Sequence, residues 1–417
     1  MIIPSIDLMG GQTVQLVGGR EKALEAGDPL PLARGFSIGG EVAVIDLDAA
    51  IGGGDNAELV EKVCGVAECR VGGGIRSVEA ARKWLDAGAA KVILGTAAKA
   101  ELLKELPKER VIAAVDCENG EVVVKGWREK TGRGVVEVIQ ELRSMVGGFL
   151  VTFVEREGRL GGINLARVRE VVEAAGDVRV TVAGGVTTVE EVAEIDRLGA
   201  DAQVGMALYT GKMSFADAVV APMVSDRADG LWPTVVVDER GVALGLAYSS
   251  RESVREAVRL KRGVYHSRKR GVWVKGETSG DTQELLKIDL DCDRDALRFT
   301  VRQRGGYCHL KTRTCWGEER GLGALSRLLE ARRADAPAGS YTKRLFEETG
   351  LLDAKLKEEV GELCAARSRE EVEWEAADVM YFAMAKMAKE GVSLAEVERA
   401  LDRRARRVTR RKGDAKV

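Results

Sequence analysis

Two segments of this chain are near copies of each other. VGGGIRSVEAARKWLDAGAAKVILGTA (71–97) and VAGGVTTVEEVAEIDRLGADAQVGMAL (182–208) share a glycine-rich turn, an amphipathic helical stretch and an apolar run ending in glycine. Gly73 and Gly185 stand 112 positions apart, and Gly95 and Gly205 stand 110 apart. Asp7 and Asp116, each closing an apolar run, are 109 apart. A repeated supersecondary unit buries its apolar face by stacking on its copies. The repeat therefore predicts two similar half-barrels, each with one acid and a pair of glycine turns.

The runs EVAVIDLD (41–48), CRVGGGI (69–75), KVILGTA (91–97), RVIAAVD (110–116), FLVTFV (149–154), VRVTVAGGV (178–186) and DAQVGMAL (201–208) read as buried parallel strands. Helical patterns such as SVEAARKWLDAG and TVEEVAEIDRLG lie between them. This alternation predicts a (β/α)8 TIM barrel over 1–224. The polar SDRADGLWP (225–233) reads as a linker. From 234 to 318, TVVVDE, GVWVKGE, ELLKIDLD and ALRFTVRQ alternate in the manner of a small, mainly β (α+β) domain. From 321 to 417 the pattern is all-α, ending in the basic RRARRVTRRKG, read as a solvated helix end.

At 417 residues the chain is long enough for two to four domains. Its formal charge of −2 gives no broad basic field, so neither nucleic acid nor an anionic membrane is expected as a partner. No stretch approaches the ~18 apolar residues of a membrane helix, and MIIPSIDLMGG does not read as a signal peptide. Seven cysteines are an odd number for a disulfide framework. The expected compartment is the cytoplasm.

Three clusters carry chemistry. In the barrel, Asp7 and Asp116 are placed at the C-terminal mouth, where paired carboxylates divide general-base and general-acid work. Glycine turns there expose backbone N–H groups to phosphate, and two such pairs suit a substrate with a phosphate at each end. The alternative is that both acids are N-caps or loop anchors.

The second cluster is LDCDRDALRFTVRQRGGYCHLKTRTCW (290–316), with thiols at Cys292, Cys308 and Cys315. Three thiolates suit a zinc that keeps one position for water. In an extended DCDRD, alternation puts Asp291, Asp293 and Asp295 on one face and Cys292 on the other. A hard cation such as magnesium suits the carboxylates. His309 is placed to act on substrate, and KGETSG (275–280), with Lys275, reads as a phosphate or ribose loop. Structural cysteines beside a solvated acidic turn are the plain alternative. The third cluster pairs LKEEVGEL (356–363) with WEAADVMYFAMA (374–385). Leu356, Val360 and Leu363 form one helical face flanked by Glu359 and Glu362. Glu375 and Asp378 are the charges of the second segment, and four acids on two helices suit magnesium.

These motifs carry three family resemblances. MIIPSIDLMGG, VGGGIRS, VILGTAA, AAVDCENGEVVVKGW and VAGGV with VGMALY resemble phosphoribosylformimino-carboxamide ribotide isomerase, a barrel enzyme that performs an Amadori rearrangement on a bis-phosphorylated substrate. The resemblance implies Asp7 as base and Asp116 as acid, with Gly74, Thr96, Gly185 and Gly205 lining the phosphate grips. Two positions depart from it: Glu157-Gly158-Arg159 stands for Asp-Gly-Thr, and Gln15 for an arginine.

GLAYSS, VYHSRKRGVWVKGETSG, LDCDRDAL, YCH and TCW resemble phosphoribosyl-AMP cyclohydrolase. That implies zinc on Cys292, Cys308 and Cys315, magnesium on Asp291, Asp293 and Asp295, proton handling by His309, and a dimer sharing the zinc site. SYTKRLFEETG with the paired acidic helices resembles phosphoribosyl-ATP pyrophosphohydrolase, an all-α relative of the MazG enzymes. It implies magnesium on Glu358, Glu359, Glu362, Glu375 and Asp378. Together the resemblances imply a trifunctional histidine-biosynthesis enzyme acting on small phosphoribosyl nucleotides. The alternative is a bifunctional hydrolase whose barrel is catalytically weak or inactive.

Overall fold

The computed structural model describes residues 1–409. Its described part divides into two compact units, Met1–Gly305 together with the stretch that begins at Arg406, and Gly306–Ala405. The basic tail from Arg410 onward lies outside the described residues.

In the first unit, eight strands pair in parallel in chain order. They are Ile2–Met9, Val42–Asp46, Cys69–Gly72, Lys91–Leu94, Val111–Glu118, Gly148–Phe153, Arg179–Ala183 and Ala200–Val204. The eighth closes on the first, with Ile2 opposite Ala202 and Pro4 opposite Val204. Both faces of each strand are covered, which is why the runs read as continuous Val, Ile and Ala rather than alternating. Ile93, Ile112, Leu150 and Ala183, with Ile45 and Ala114 packed on them, fill the interior.

The repeat recurs in space. Helices Val78–Ala87 and Val189–Arg197 follow equivalent strands, and their N-caps Ser77 and Thr188 accept from the amides three residues on. Gly73 (φ +97°) and Gly184 (φ +91°) both lie where a Cβ would strike the carbonyl ending the preceding strand, of Asp46 and Phe153 respectively. The equivalent pairs are therefore Gly73–Gly184 and Gly74–Gly185. The structural offset is 111, which corrects the Gly73–Gly185 match of 112.

Two antiparallel excursions were not foreseen from sequence. Gln12–Val17 and Glu21–Gly27 follow the first strand, and Glu121–Val124 and Glu129–Gly134 follow the fifth. Both return beside the acid-bearing strand, with Asp7 opposite Val14 and Cys117 opposite Val122. Their outer strands, EKALEAG and EKTGRG, are mostly exposed and polar, so they lack the apolar alternation that marks a strand.

The same unit continues into a four-stranded sheet ordered Ala243–Ser249, Trp232–Asp238, Leu297–Gln303, Gln283–Leu290. Trp232 and Pro233, expected in the linker, begin its strand, and Trp232 is buried. Helix Arg251–Leu260 and the hairpin Val264–Ser267 with Gly271–Val274 pack alongside. Tyr265 and Phe299, fully buried 5.6 Å apart, centre this smaller core. Ion pairs join it to the barrel: Asp217 to Arg255 at 2.6 Å, and Asp196 to Arg294 at 3.0 Å.

The second unit is helical beyond residue 321: Leu322–Ala334, Tyr341–Glu347, Leu351–Ala365, Arg369–Glu390 and Leu394–Ala405. Leu329, Leu345, Leu352, Phe382 and Ala385 form its core. Only three residues separate the two long helices, and Ser368 caps the later one in a reciprocal bond with Glu371. In Leu351–Ala365 the buried side is centred on Leu352 and Glu359. Leu356 and Leu363 are accordingly half-buried while Val360 is exposed, so the apolar face expected from these three is not a buried one. Among the described residues no helix is long and apolar enough to cross a membrane.

Gly184→Ala combines a disfavoured φ with a collision against backbone and is expected to cost about 2 kcal/mol or more. Urea unfolding of the variant checks this; a midpoint equal to that of the parent contradicts the packing described.

Candidate functional site

The strand ends and their loops enclose a cavity of about 1080 Å³. Asp7, Asp116, Gly74, Thr96, Gly185 and Gly205 all line it, so the expected acids and glycine turns of both halves meet in one space. Ser5 and Asp7, two apart on one strand, point the same way. Asp7 accepts from Ser5 Oγ at 2.7 Å and from Gln15 Nε2 at 3.4 Å. Burial outweighs both bonds and raises its pKa to about 6. Asp116 accepts from Trp127 Nε1 at 2.9 Å and from the Thr152 hydroxyl, and burial again raises it. Thr152 is the direct cross-strand neighbour of Asp116.

Each acid is therefore held by the excursion that follows its own strand: Gln15 in the first, Trp127 in the second. Gly19 of the first touches Trp127 of the second so closely that a Cβ there would enter the indole. Gln15, at the position where arginine was expected, is buried between Asp7, the Val14 carbonyl and Gly205. Arg159 is exposed and does not line the cavity. Glu157 does line it, and its pKa is raised to about 7, first by burial and then by the charges of Asp7 and Asp116. It appeared in the sequence only as a departure from Asp-Gly-Thr.

The acidic motif is not an extended strand. Strand Gln283–Leu290 ends at Leu290, residues 291–296 form the turn of a hairpin, and Arg294 has φ +68°. That corrects the two-face alternation. The turn itself brings carboxylate oxygens of Asp291, Asp293 and Asp295 within 4.8 Å of one another. Asp295 is held above the usual carboxylate range by its bond to Asp291 and the charge of Asp293. Cys292 is exposed in this turn, its sulfur 3.9 Å from Asp293. Lys275 is buried, its N–H donating to the Gly263 carbonyl at 2.9 Å.

Cys308 and Cys315 belong to the second unit. A tight turn returns the Lys311 N–H to the Cys308 carbonyl at 3.0 Å. The Leu310 N–H, then the Thr312 hydroxyl and the Cys315 thiol, hold Cys308 below the usual thiol range despite its burial. His309 is exposed, with Nδ1 3.8 Å from the Cys308 sulfur. Among the helices, Glu359, Glu375 and Asp378 bring carboxylate oxygens within 4.8 Å of one another. Burial first, then the charges of Glu362, Glu359 and Asp378, raise the pKa of Glu375. Glu362 thus borders the group, whereas Glu358 is exposed and pairs with Lys355 at 2.9 Å. Lys355 also holds Glu359 at 2.8 Å.

Compared with known proteins, residues 1–214 match the histidine biosynthesis protein family. The chain belongs to that family. Residues 245–317 match phosphoribosyl-AMP cyclohydrolase, and 322–405 match phosphoribosyl-ATP pyrophosphohydrolase. The chain is 37% identical over 232 residues to the 1-(5-phosphoribosyl)-5-((5-phosphoribosylamino)methylideneamino) imidazole-4-carboxamide isomerase of Methanocaldococcus jannaschii, covering 52% of this chain and 98% of that protein. It is 53% identical over 206 residues to the histidine biosynthesis trifunctional protein of Neurospora crassa, 49% of this chain and 24% of that protein. With the histidine biosynthesis bifunctional protein of Schizosaccharomyces pombe it shares 54% identity over 207 residues, 49% of this chain and 50% of that one. The chain thus spans about a quarter to a half of these two fungal relatives.

A carboxyl whose folded pKa is raised stabilises the fold fully below its unfolded pKa and loses that contribution as pH rises through the folded value. For Asp7 that loss runs from near 3.8 to about 6. Asp7→Asn is therefore expected to raise the melting temperature at about pH 8 and leave it unchanged at about pH 3. Thermal melts at both pH values test this, and equal melting of the two proteins at the higher one refutes it.

Proposed function

We propose that this chain is a trifunctional enzyme of histidine biosynthesis. Residues 321–417 would hydrolyse phosphoribosyl-ATP to phosphoribosyl-AMP and pyrophosphate, 234–318 would open the adenine ring, and the barrel, 1–224, would isomerise the product. The observation that carries this is three matches in one chain, in the order isomerase, cyclohydrolase, pyrophosphohydrolase, the reverse of the reaction order. The barrel's two buried acids, each hydrogen-bonded and each raised, support its catalysis over the scaffold reading.

In the barrel, Asp7 works as base, ionised above about pH 6, and Asp116 as acid, oriented by Trp127 and Thr152. Gly74 with Thr96, and Gly185 with Gly205, serve the two phosphates from opposite halves of the cavity.

The donor sets fit the metals expected from sequence. A thiol held low beside a second thiol suits zinc, and we assign Cys292, Cys308 and Cys315 to it. Bound there, zinc supplies the Lewis acidity that makes water nucleophilic near neutral pH. His309, with Nδ1 3.8 Å from the Cys308 sulfur, would handle protons beside it. The hairpin carboxylates Asp291, Asp293 and Asp295, and the helical group Glu359, Glu362, Glu375 and Asp378, suit magnesium. Glu358 is the outlying member of that set, and Lys275 serves substrate phosphate. A homodimer through the cyclohydrolase part and a cytoplasmic location complete the reading.

Phosphoribosyl-ATP supplied to the pure protein with zinc and magnesium is expected to yield the isomerised ketose and pyrophosphate. Accumulation of the ring-opened aminal would instead identify an inactive barrel. Glu375→Gln is expected to slow pyrophosphate release at least tenfold while leaving ring opening of supplied phosphoribosyl-AMP intact, and Cys308→Ser to do the opposite. Loss of both activities in either variant would show that the two sites are not separate.

A further inference from the structure

The acidic turn of the cyclohydrolase part, residues 291–296, holds three carboxylates and a single cation, Arg294. Among the described residues none of Asp291, Asp293 and Asp295 forms an ion pair, so their mutual repulsion opposes the close grouping. Arg294 does not answer that charge. Its guanidinium donates to the Asp291 carbonyl inside the turn and to Asp196 outside it.

Asp196 stands in the last turn of the barrel helix Val189–Arg197. Its two oxygens accept from Arg294 Nε and Nη2, each at 3.0 Å, a bidentate pair with the aspartate 8% and the arginine 21% exposed. A carboxylate near a helix C-terminus opposes the helix dipole, so the helix itself gains nothing from Asp196. Its place is nonetheless fixed. Oδ1 also meets the Met1 amine at 2.9 Å, and that amine lies 2.9 Å from Asp201, which Arg179 holds at 2.6 Å.

The barrel holds the backbone of Arg294 as well. Its carbonyl accepts from the Val224 N–H at 2.9 Å. Its φ of +68° is one that residues other than glycine rarely adopt, and it persists only where surroundings enforce it. Within the turn, the Asp291 N–H donates to the Ala296 carbonyl at 3.2 Å, and the Asp295 N–H to Asp291 Oδ1 at 3.0 Å. Neither bond reaches Asp293, the direct neighbour of Arg294.

We propose that Asp196 is a positioning residue for the cyclohydrolase metal site: through Arg294 it holds the acidic turn in the arrangement that receives a divalent cation. It also keeps the guanidinium away from Asp293 and Asp295, where a freed arginine would compete with the cation. A barrel residue thereby takes part in ring opening without touching the substrate. The inference rests on the magnesium reading of the turn.

Mn2+ stands in for Mg2+ as the probe, titrated into the full-length, zinc-loaded protein and followed by loss of the free-ion electron spin resonance signal. All proteins carry Glu375→Gln, so that the helical carboxylate group does not contribute. Asp196→Ala and Asp196→Asn are expected to weaken binding at the turn about tenfold. They should raise the Mg2+ concentration for half-maximal opening of supplied phosphoribosyl-AMP by a similar factor, with kcat at saturating Mg2+ within about twofold of the parent. Asp217→Asn, which breaks the 2.6 Å pair with Arg255 elsewhere between the same two parts, should change neither quantity. In an Arg294→Ala protein, adding Asp196→Ala should have no further effect. Parent-like Mn2+ binding in both Asp196 variants overturns the role of Asp196 and leaves the metal reading standing. So does an equal loss in Asp217→Asn, or an Asp196→Ala loss that persists in full beside Arg294→Ala. An Asp293→Asn protein that binds Mn2+ like the parent overturns the metal reading of the turn, and the role of Asp196 with it.

Discussion

The hydrogen bonds between the first and eighth strands close the barrel, and the cavity depends on them. With Ile2 opposite Ala202 and Ser5 opposite Ala43 on the other side, every strand delivers its C-terminal end to the same rim. The ends of the first and fifth strands and the loop after the sixth, distant in sequence, then bring Asp7, Asp116 and Glu157 to one cavity. An open sheet of the same strands would scatter these carboxyls and expose each to water. Closure concentrates three acids in one buried space, and their raised pKa values follow from that placement.

The duplication extends beyond strands and helices to the support of the acids. Each of Asp7 and Asp116 receives a donor from the excursion that follows its strand, Gln15 in one half and Trp127 in the other. The donors differ in reach and acidity, a long amide contact at 3.4 Å against an indole at 2.9 Å. Two copies of one scaffold thereby present acids with different surroundings, which is the condition for giving one the work of a base and the other that of an acid. The unsupported third carboxyl, Glu157, has no counterpart in this pairing.

Much of this was legible in the sequence for a physical reason. Strands covered on both faces are written as continuous apolar runs, and positive-φ turns as glycine, so the barrel and its rim could be read directly. The excursions were not readable because their outer strands, Glu21–Gly27 and Glu129–Gly134, are exposed and mostly polar, and the inner strands are short. The role of Gln15 was hidden with them, since it depends on a hairpin register. The acidic motif was found but its shape was not: alternation in DCDRD suggests a strand, and the φ of Arg294 turns it into a hairpin bend. Among the helical acids, spacing alone could not separate Glu358, which faces solvent, from Glu359, which is 5% exposed.

Arg294 has a second consequence. Its side chain reaches from the middle of the acidic turn to Asp196 on a barrel helix, and its carbonyl accepts from Val224 where the barrel ends. The loop that gathers Asp291, Asp293 and Asp295 is thus tethered at its apex to a different domain. Its order is borrowed: the spacing of those three carboxylates is set partly by a barrel that contributes none of them. Fusion of the two domains makes a local property of one a joint property of both.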